Sequence, residues 1–200
     1  LRNGNLFFTW DDYQTGNFDV SGIVSDPYGT VGNEFPINNI KTGRQSYSRV
    51  KALPDGNAMG AWLGDQKAAG VYDVYGGVFA PNGTAIGPES QLNQNTTGAI
   101  YRPSIATSND TLAIIYDAHL LTGGDSDIYV RPLFLNGSAK DNELRVNKNT
   151  TGQQFNPSIV PLMNGKYFAV WWGGQTGTSH IYGIILNSDL KTTDTEFLVN

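Results

Sequence analysis

The fold is decided by a phrase that the chain writes twice: NQNTTGAIYRPSIA at residues 93–106 and NKNTTGQQFNPSIV at residues 147–160. Each copy begins at an Asn that closes a longer recurring motif. That motif reads EFPIN, ESQLN, ELRVN or EFLVN, and its Asn stands at positions 38, 93, 147 and 200. A tandem repeat with a period of about 50 residues indicates one supersecondary unit used several times.

Two further markers follow the same period. One is a strand motif with an aromatic residue: FDVSG (18–22), YDVYG (72–76), SDIYV (126–130) and HIYG (180–183). The other is a single large aromatic residue, at Trp10, Trp62, Tyr116 and Trp171. We predict that these four aromatic side chains pack one unit against the next. The three markers define four units in a single repeat domain, at about 1–38, 39–93, 94–147 and 148–200.

Each unit resolves into four short strands, most clearly in the last: NPSIVPLM (156–163), KYFAVWW (166–172), HIYGIILN (180–187) and TEFLVN (195–200). The Asn-Gly pair between the first two strands predicts a two-residue type I′ hairpin. No stretch shows a helical period. Four antiparallel strands per repeated unit predict an all-β propeller with four blades; tandem β-sandwiches are the alternative fold, although they do not explain the strict period.

The first unit opens at its second strand, so the predicted first blade lacks its innermost strand. We expect either residues upstream or a segment of another molecule to pair beside residues 5–10, because an unpaired strand edge invites β-augmentation. The predicted partners are therefore copies of this chain or other surface proteins, joined through strand edges.

Composition excludes several classes of function. The net charge is −5 without a cluster of basic residues, which argues against nucleic acid as a partner. Cysteine is absent, which excludes disulfides and thiolate metal sites. The longest apolar runs are too short to span a membrane. No signal peptide is visible in a chain that starts at Leu1.

The units resemble tandem repeats found in large secreted or surface-attached microbial proteins. Those repeats read P-S-[IV]-x-x-L-x-[DN]-G-x-[FY]-x-V-x-W, then a Tyr-Gly strand and an E-F-x-V-N ending. The match covers the whole chain, is closest in the fourth unit and weakest in the third. The resemblance implies an extracellular or cell-surface location, propeller-like blades and no enzyme activity.

Five Asn residues head Asn-x-Thr/Ser sequons that lack Pro in the middle, and each falls in a predicted turn or connection. Asn82 and Asn136 occupy equivalent turns, and Asn95 and Asn149 occupy equivalent connections between units. The fifth is Asn109. We predict N-glycosylation at these exposed sites; the alternative is that Asn is present only as a turn residue.

Other residues repeat with the period and are interpreted as structural. The Asn residues at 38, 93 and 147 should accept backbone N–H bonds where each last strand turns. The acids at 19, 73 and 127 are interpreted as turn residues. Those at 34, 89, 143 and 196 are expected to hydrogen-bond locally or stay solvated. The alternative for the two sets of acids is a ring of ligand-binding groups.

Catalytic motifs are not apparent. The two histidines, His119 and His180, come without a Ser or metal-ligand motif. We therefore predict no catalytic residue, no cofactor and no metal, and expect a structural or adhesive surface protein of a filament, coat or adhesin. The alternative is a lectin-like module using loops such as DDYQTGNFD (11–19). A glycoside hydrolase comes third; its carboxylate pair would come from Asp11, Asp12, Asp65, Asp117 and Asp125.

Overall fold

The computed structural model describes residues 1–13, 16–120, 124–174, 178–191 and 194–200, with only the backbone described at Leu120. These residues form fifteen strands and no helix. Accordingly, the described residues contain no helix that is long and apolar enough to cross a membrane. The strands form four antiparallel sheets, one for each sequence unit, which we call blades 1 to 4.

In chain order, the strands of the four blades have the following bounds. Blade 1 comprises β1 (Leu6–Asp12), β2 (Asp19–Ser25) and β3 (Phe35–Pro36); blade 2 comprises β4 (Gln45–Ala52), β5 (Ala58–Ala68), β6 (Val71–Phe79) and β7 (Ala85–Gln91); blade 3 comprises β8 (Gly98–Ser108), β9 (Thr111–Leu120), β10 (Ser126–Phe134) and β11 (Leu144–Arg145); blade 4 comprises β12 (Gln153–Pro161), β13 (Tyr167–Gly174), β14 (His180–Leu186) and β15 (Phe197–Leu198).

Blades 2 to 4 each hold four strands in sequence order, whereas blade 1 holds three. Trp10 lies in β1 and Trp62 in β5, the second strand of blade 2, so blade 1 starts at its second strand. The predicted all-β propeller, with its first blade short of the innermost strand, is confirmed. The first strands of neighbouring blades, β4 with β8 and β8 with β12, contact each other as inner strands of a propeller do.

Apolar junctions hold successive blades together. One buried cluster joins blades 1 and 2, a second joins blades 2 and 3, and a third joins blades 3 and 4. Trp62, Tyr116 and Trp171 lie in these junctions and are at most 1% exposed. Trp10 is only half-buried, because its face of blade 1 points away from blade 2.

A buried Asn fastens the end of blades 1, 2 and 3. In blade 2, Asn93 accepts the N–H of Val74 at 2.8 Å and donates to Asp73 at 2.7 Å. Asn38 and Asn147 make the same pair of bonds in blades 1 and 3. The prediction that these Asn residues accept backbone N–H bonds is confirmed. The repeated Asp is the fixed acceptor of the Asn amide, a role that the turn interpretation did not include.

The repeated Glu works across blades at Glu89, Glu143 and Glu196, and there the expectation of a local or solvated side chain was wrong; Glu34 is exposed, as expected. Glu143 of blade 3 accepts the N–H groups of Gln94 at 2.9 Å and Asn95 at 3.2 Å, in the connection that leaves blade 2. Glu89 and Glu196 make the equivalent bonds to the preceding connections. Each carboxylate therefore ties its blade to the one before it.

The hairpins at Asn-Gly are not of type I′. At residues 162–165 the N–H of Gly165 bonds to the carbonyl of Leu162 at 3.1 Å, and the glycine alone has positive φ, at 84°. Asn164 instead accepts the N–H of Lys166 through its side chain at 3.1 Å. A three-residue turn ending in left-handed Gly replaces the predicted two-residue one.

We expect Glu143→Ala to lower the free energy of unfolding by about 2–3 kcal/mol, since it removes charge-assisted bonds to two backbone N–H groups. Glu34→Ala is the matched control, because Glu34 has the same strand position but no such donor among the described residues. That control should cost less than about 0.5 kcal/mol. Urea denaturation measures both, and equal effects would contradict the proposed tie.

Candidate active site

The innermost strands carry a bulge at the same place in three blades. Tyr47, Arg102 and Asn156 have φ of 56°, 49° and 56°, in the left-handed region that side chains with a Cβ disfavour. The strand register shifts at each of them. Strain of this kind persists where the surrounding structure holds it, and it concentrates at functional sites. The bulges therefore indicate the inner surface of the propeller as the candidate functional region.

Carboxylates from the preceding blade hold two of the bulges. Asp11 accepts the N–H groups of Tyr47 at 2.9 Å and Ser48 at 3.2 Å. Asp117 accepts the N–H of Asn156 at 3.1 Å. Both acids directly follow the aromatic marker of their own blade, in the second half of the strand that carries it.

A cavity of about 410 Å³ opens between blades 3 and 4, beside the bulge of Arg102. The inner strands β8 and β12 supply one side, and the ends of β9 and β10 supply the other. Its lining combines aromatic, amide, hydroxyl, imidazole, guanidinium and carboxyl groups: Tyr101, Arg102, Asp117, His119, Ser126, Gln153 and Phe155.

Asp117 is the buried acid of this cavity. Its side chain is 1% exposed, and Nη1 of Arg102 lies 2.8 Å from its Oδ2. Burial raises the pKa of Asp117 to about 6, although the charge of Arg102 and the bond from Asn156 oppose the shift. A carboxyl with this pKa holds its proton in mildly acidic solution and can serve as a general acid.

Aromatic surfaces surround the guanidinium. The Cζ of Arg102 lies 5.8 Å from the ring centre of Tyr101 and 5.4 Å from that of Phe155. Phe155 is fixed in turn by an edge-on contact with Trp172, with ring centres 4.0 Å apart. Apolar ring faces beside convergent polar groups are typical of a small-molecule site; a sugar ring, with its apolar C–H face and hydroxyl rim, fits such a lining.

A second carboxylate lies at the rim. Asp125 accepts the N–H of Gly152 at 3.0 Å, and its Oδ1 lies 3.2 Å from Nε2 of Gln153, which lines the cavity. Each oxygen of this acid therefore receives a hydrogen bond, which fixes the carboxylate at the rim. The cavity thus combines a buried acid with a more polar acid at its edge.

The other acids named as candidates lie elsewhere. Asp65 braces a loop of blade 2 by accepting the N–H groups of Arg44 and Gly70. Asp12 accepts the hydroxyl of Ser21 at 3.2 Å in blade 1. Of the loop 11–19, residues 14 and 15 lie outside the described residues. No group of three or more His, Asp or Glu among the described residues is placed to hold a metal ion.

Sequence reasoning included Asp117 among five acids but missed Tyr101, Arg102, Gln153 and Phe155. A signal was present in the repeat. Residues 102 and 156 differ, although Pro-Ser-Ile follows each of them. A variable position inside a repeated strand is a place where the side chain at the inner surface changes between units.

Known structures share this fold. No protein-family model matches the sequence, and no curated protein matches it. An α-L-arabinanase of Penicillium chrysogenum, solved with arabinobiose, superposes with a TM-score of 0.72 at 17% identity, over 99% of this chain and 64% of its own. An α-L-arabinofuranosidase of Fusarium graminearum, also solved with arabinobiose, gives 0.73 at 13% identity, over 100% and 64%. A protein of unknown function from Dyadobacter fermentans gives 0.68 at 15% identity, over 92% and 50%.

These matches correct the functional expectation. The chain spans less than two thirds of the length of these neighbours, and at such identity the likeness establishes the fold alone. Several of the matched propellers are nevertheless named as glycoside hydrolases. The expectation of a structural or adhesive protein without enzyme activity was wrong; it rested on missing motifs, whereas a buried acid is assembled by the fold.

The pH dependence of stability should report Asp117. Its folded pKa of about 6 exceeds the unfolded value of 3.8, so the folded state binds more protons between these values and stability falls as pH rises through them. The wild-type advantage over Asp117→Asn should therefore shrink by about 2–3 kcal/mol from pH 4 to pH 7. Asp11→Asn replaces the exposed acid at the equivalent position of blade 1. Its free energy of unfolding, measured by denaturant titration at each pH, should change with pH as that of the wild type does. If the free energy of unfolding of Asp117→Asn changes with pH in parallel with that of the wild type, the raised pKa of Asp117 is contradicted.

Proposed function

We propose that this chain forms the substrate-binding part of a glycoside hydrolase, with the cavity between blades 3 and 4 as its active site. The single observation that carries the proposal is Asp117, a carboxyl 1% exposed with a pKa of about 6 at a cavity lined by aromatic and polar groups. The matched arabinanase and arabinofuranosidase propellers make arabinose-containing oligosaccharides the first substrates to test.

Asp117 takes the role of general acid. It donates its proton to the glycosidic oxygen while the bond between that oxygen and the anomeric carbon breaks. The leaving sugar therefore departs with a hydroxyl group. Arg102, 2.8 Å away, then stabilises the carboxylate that remains. The same pair fixes the direction of the carboxyl, because the other oxygen is held by the N–H of Asn156. The acid therefore faces the cavity in one orientation.

The second carboxylate of the reaction is assigned to Asp125 at the rim. Glycoside hydrolysis needs a carboxylate that activates water or attacks the sugar while the acid protonates the leaving group. Asp125 receives two hydrogen bonds in the folded chain, one of them from the amide of Gln153, which lines the cavity. The assignment is separable from that of Asp117, because each acid can be replaced alone.

We expect the purified chain to release reducing sugar from arabino-oligosaccharides, with a rate that falls as pH rises above about 6, since the acid must be protonated. Asp117→Asn should lower kcat about 100-fold or more. Asp125→Asn should lower kcat by as much but leave unchanged the pH at which the rate falls. Asp11→Asn is the matched control and should retain wild-type rates. If no variant differs from the wild type, or if the wild type hydrolyses no oligosaccharide offered, the proposal fails.

We propose an extracellular location and N-glycosylation in a host that performs it. Asn82, Asn136 and Asn149 are exposed, and Asn95 is half-buried. In Asn95 the side-chain oxygen accepts both the N–H and the hydroxyl of Thr97, at 2.9 and 2.8 Å, so the sequon is a closed turn. The resemblance to repeats of secreted microbial proteins supports the same location.

Asn109 should differ from the other four sequons. It sits in the β8–β9 turn with φ of 53°, and a Cβ built on Gly165 of the next blade would lie 3.3 Å from its Nδ2. A glycan on this nitrogen would collide with that turn. Secretion from a yeast host and mass spectrometry of glycopeptides should show sugar at positions 82, 95, 136 and 149 and none at 109. Unmodified Asn95 and Asn149 would refute the proposal.

A further inference from the structure

An aromatic pair adjoins the cavity at the junction of blades 2 and 3. The rings of Tyr72, in β6, and Tyr101, in β8, have their centres 6.0 Å apart and are tilted by 49°. Both side chains are half-buried and pack against the apolar cluster of that junction. Tyr101 also lines the cavity between blades 3 and 4, so the pair continues the cavity lining towards blade 2.

Tyr72 occupies a repeat position that belongs to the cavity lining in the next blade. Tyr72 directly precedes the repeated acid of blade 2, as Ser126 directly precedes that of blade 3. Ser126 lines the cavity. At one place in the fold, blade 3 therefore presents a small hydroxyl side chain beside an open space, whereas blade 2 presents an aromatic ring with a polar tip.

The buried acid of the cavity has an aromatic residue next to it in each of the two blades that it joins. In blade 3, Tyr101 is the partner of Asp117 in the register between β8 and β9. In blade 4, Phe155 directly precedes Asn156, whose N–H bonds to Asp117 at 3.1 Å. Asp117 is therefore flanked by Tyr101 and Phe155, both of which line the cavity.

These contacts form a row that crosses three blades, which we call the aromatic row: Tyr72, Tyr101 and Phe155. Tyr72 contacts Tyr101 directly, and the guanidinium of Arg102 connects Tyr101 to Phe155, with its Cζ 5.8 and 5.4 Å from their ring centres. Asp117 lies beside the part of the row that Arg102 bridges. The acid therefore stands within the row, with ring surfaces on the blade 2 side and on the blade 4 side, and does not stand at its end.

We propose that the aromatic row binds the interior of a linear glycan, with sugar units on both sides of Asp117. The inference rests on the proposed function, which assigns cleavage of the glycosidic bond to Asp117. Ring faces receive the apolar C–H faces of successive sugars, and the phenol hydroxyls reach sugar hydroxyls. Because the row continues past the acid in both directions, the bond that meets Asp117 is an internal one, and the substrate is a long chain and not a chain end.

Binding is tested by calorimetric titration of the whole chain carrying Asp117→Asn, which slows hydrolysis. Linear arabinohexaose should bind at least about tenfold more tightly than arabinobiose, and adding Tyr72→Ala should reduce this ratio below about threefold. Tyr72→Leu, which keeps apolar volume at the junction, should act in the same way. Tyr129→Ala is the matched control and should keep the ratio, because Tyr129 is also half-buried against the same cluster but stacks on Tyr116. Circular dichroism checks that the variants fold.

Product lengths give a second measurement. The wild type should convert arabinohexaose first into the biose, triose and tetraose; release of single arabinose and the pentaose alone would overturn the proposal. No binding, equal affinity for the two lengths, or an equal loss in the Tyr129→Ala control would overturn it as well. If the wild type cleaves nothing while Tyr72→Ala still abolishes the preference for the longer chain, the proposed function fails and the aromatic row stands as a glycan-binding site.

Discussion

The structure depends on a buried amide at the end of each of the first three blades. Asn93 accepts a backbone N–H of the third strand, donates to Asp73, and donates to the carbonyl of Asn95 at 2.7 Å as the chain leaves the blade. An amide can do this because it carries donors and an acceptor together. These bonds set the direction in which the chain exits, and that direction determines where the next blade begins.

The carboxylates that bond to the preceding blade, those of Glu89, Glu143 and Glu196, then act on a connection between blades whose position is already determined. Glu143 reaches the N–H groups of Gln94 and Asn95, immediately after Asn93. The apolar junctions supply most of the free energy of packing, but they are not directional. The polar ties supply the register between blades, so apolar packing and hydrogen bonding have separate roles in this propeller.

Much of the fold could be predicted because repetition converts weak local signals into a strong one. The four units, the strand order and the three-stranded first blade all follow from spacing. The turn at Asn164-Gly165 could not be predicted correctly, because Asn-Gly suits more than one hairpin and the side-chain bond to Lys166 selects between them. The long reach of Glu143 was missed for a related reason, since its partners are 48 and 49 residues away.

The candidate site was the least predictable part. Asp117 and Asp11 follow equivalent aromatic residues, and nothing local separates them. Burial does, because Asp117 is 1% exposed whereas Asp11 is an exposed residue, although both bond to the following blade. The burial of this acid arises at the junction of two units, so a repeat read one unit at a time does not reveal it.

The inner-strand bulges have a consequence for how such a chain can change. At Tyr47 and Asn156 a carboxylate of the neighbouring blade holds the left-handed backbone. The side chain at the bulge is therefore not needed to stabilise that backbone conformation. Each of these bulges is then a position at which the side chain can change while the backbone keeps its conformation. Replacement of its residue would exchange an aromatic face, a cation or an amide at the inner surface while the ladder on either side stays the same. A gene that duplicates such units acquires, with every added blade, another independently variable position around a common centre.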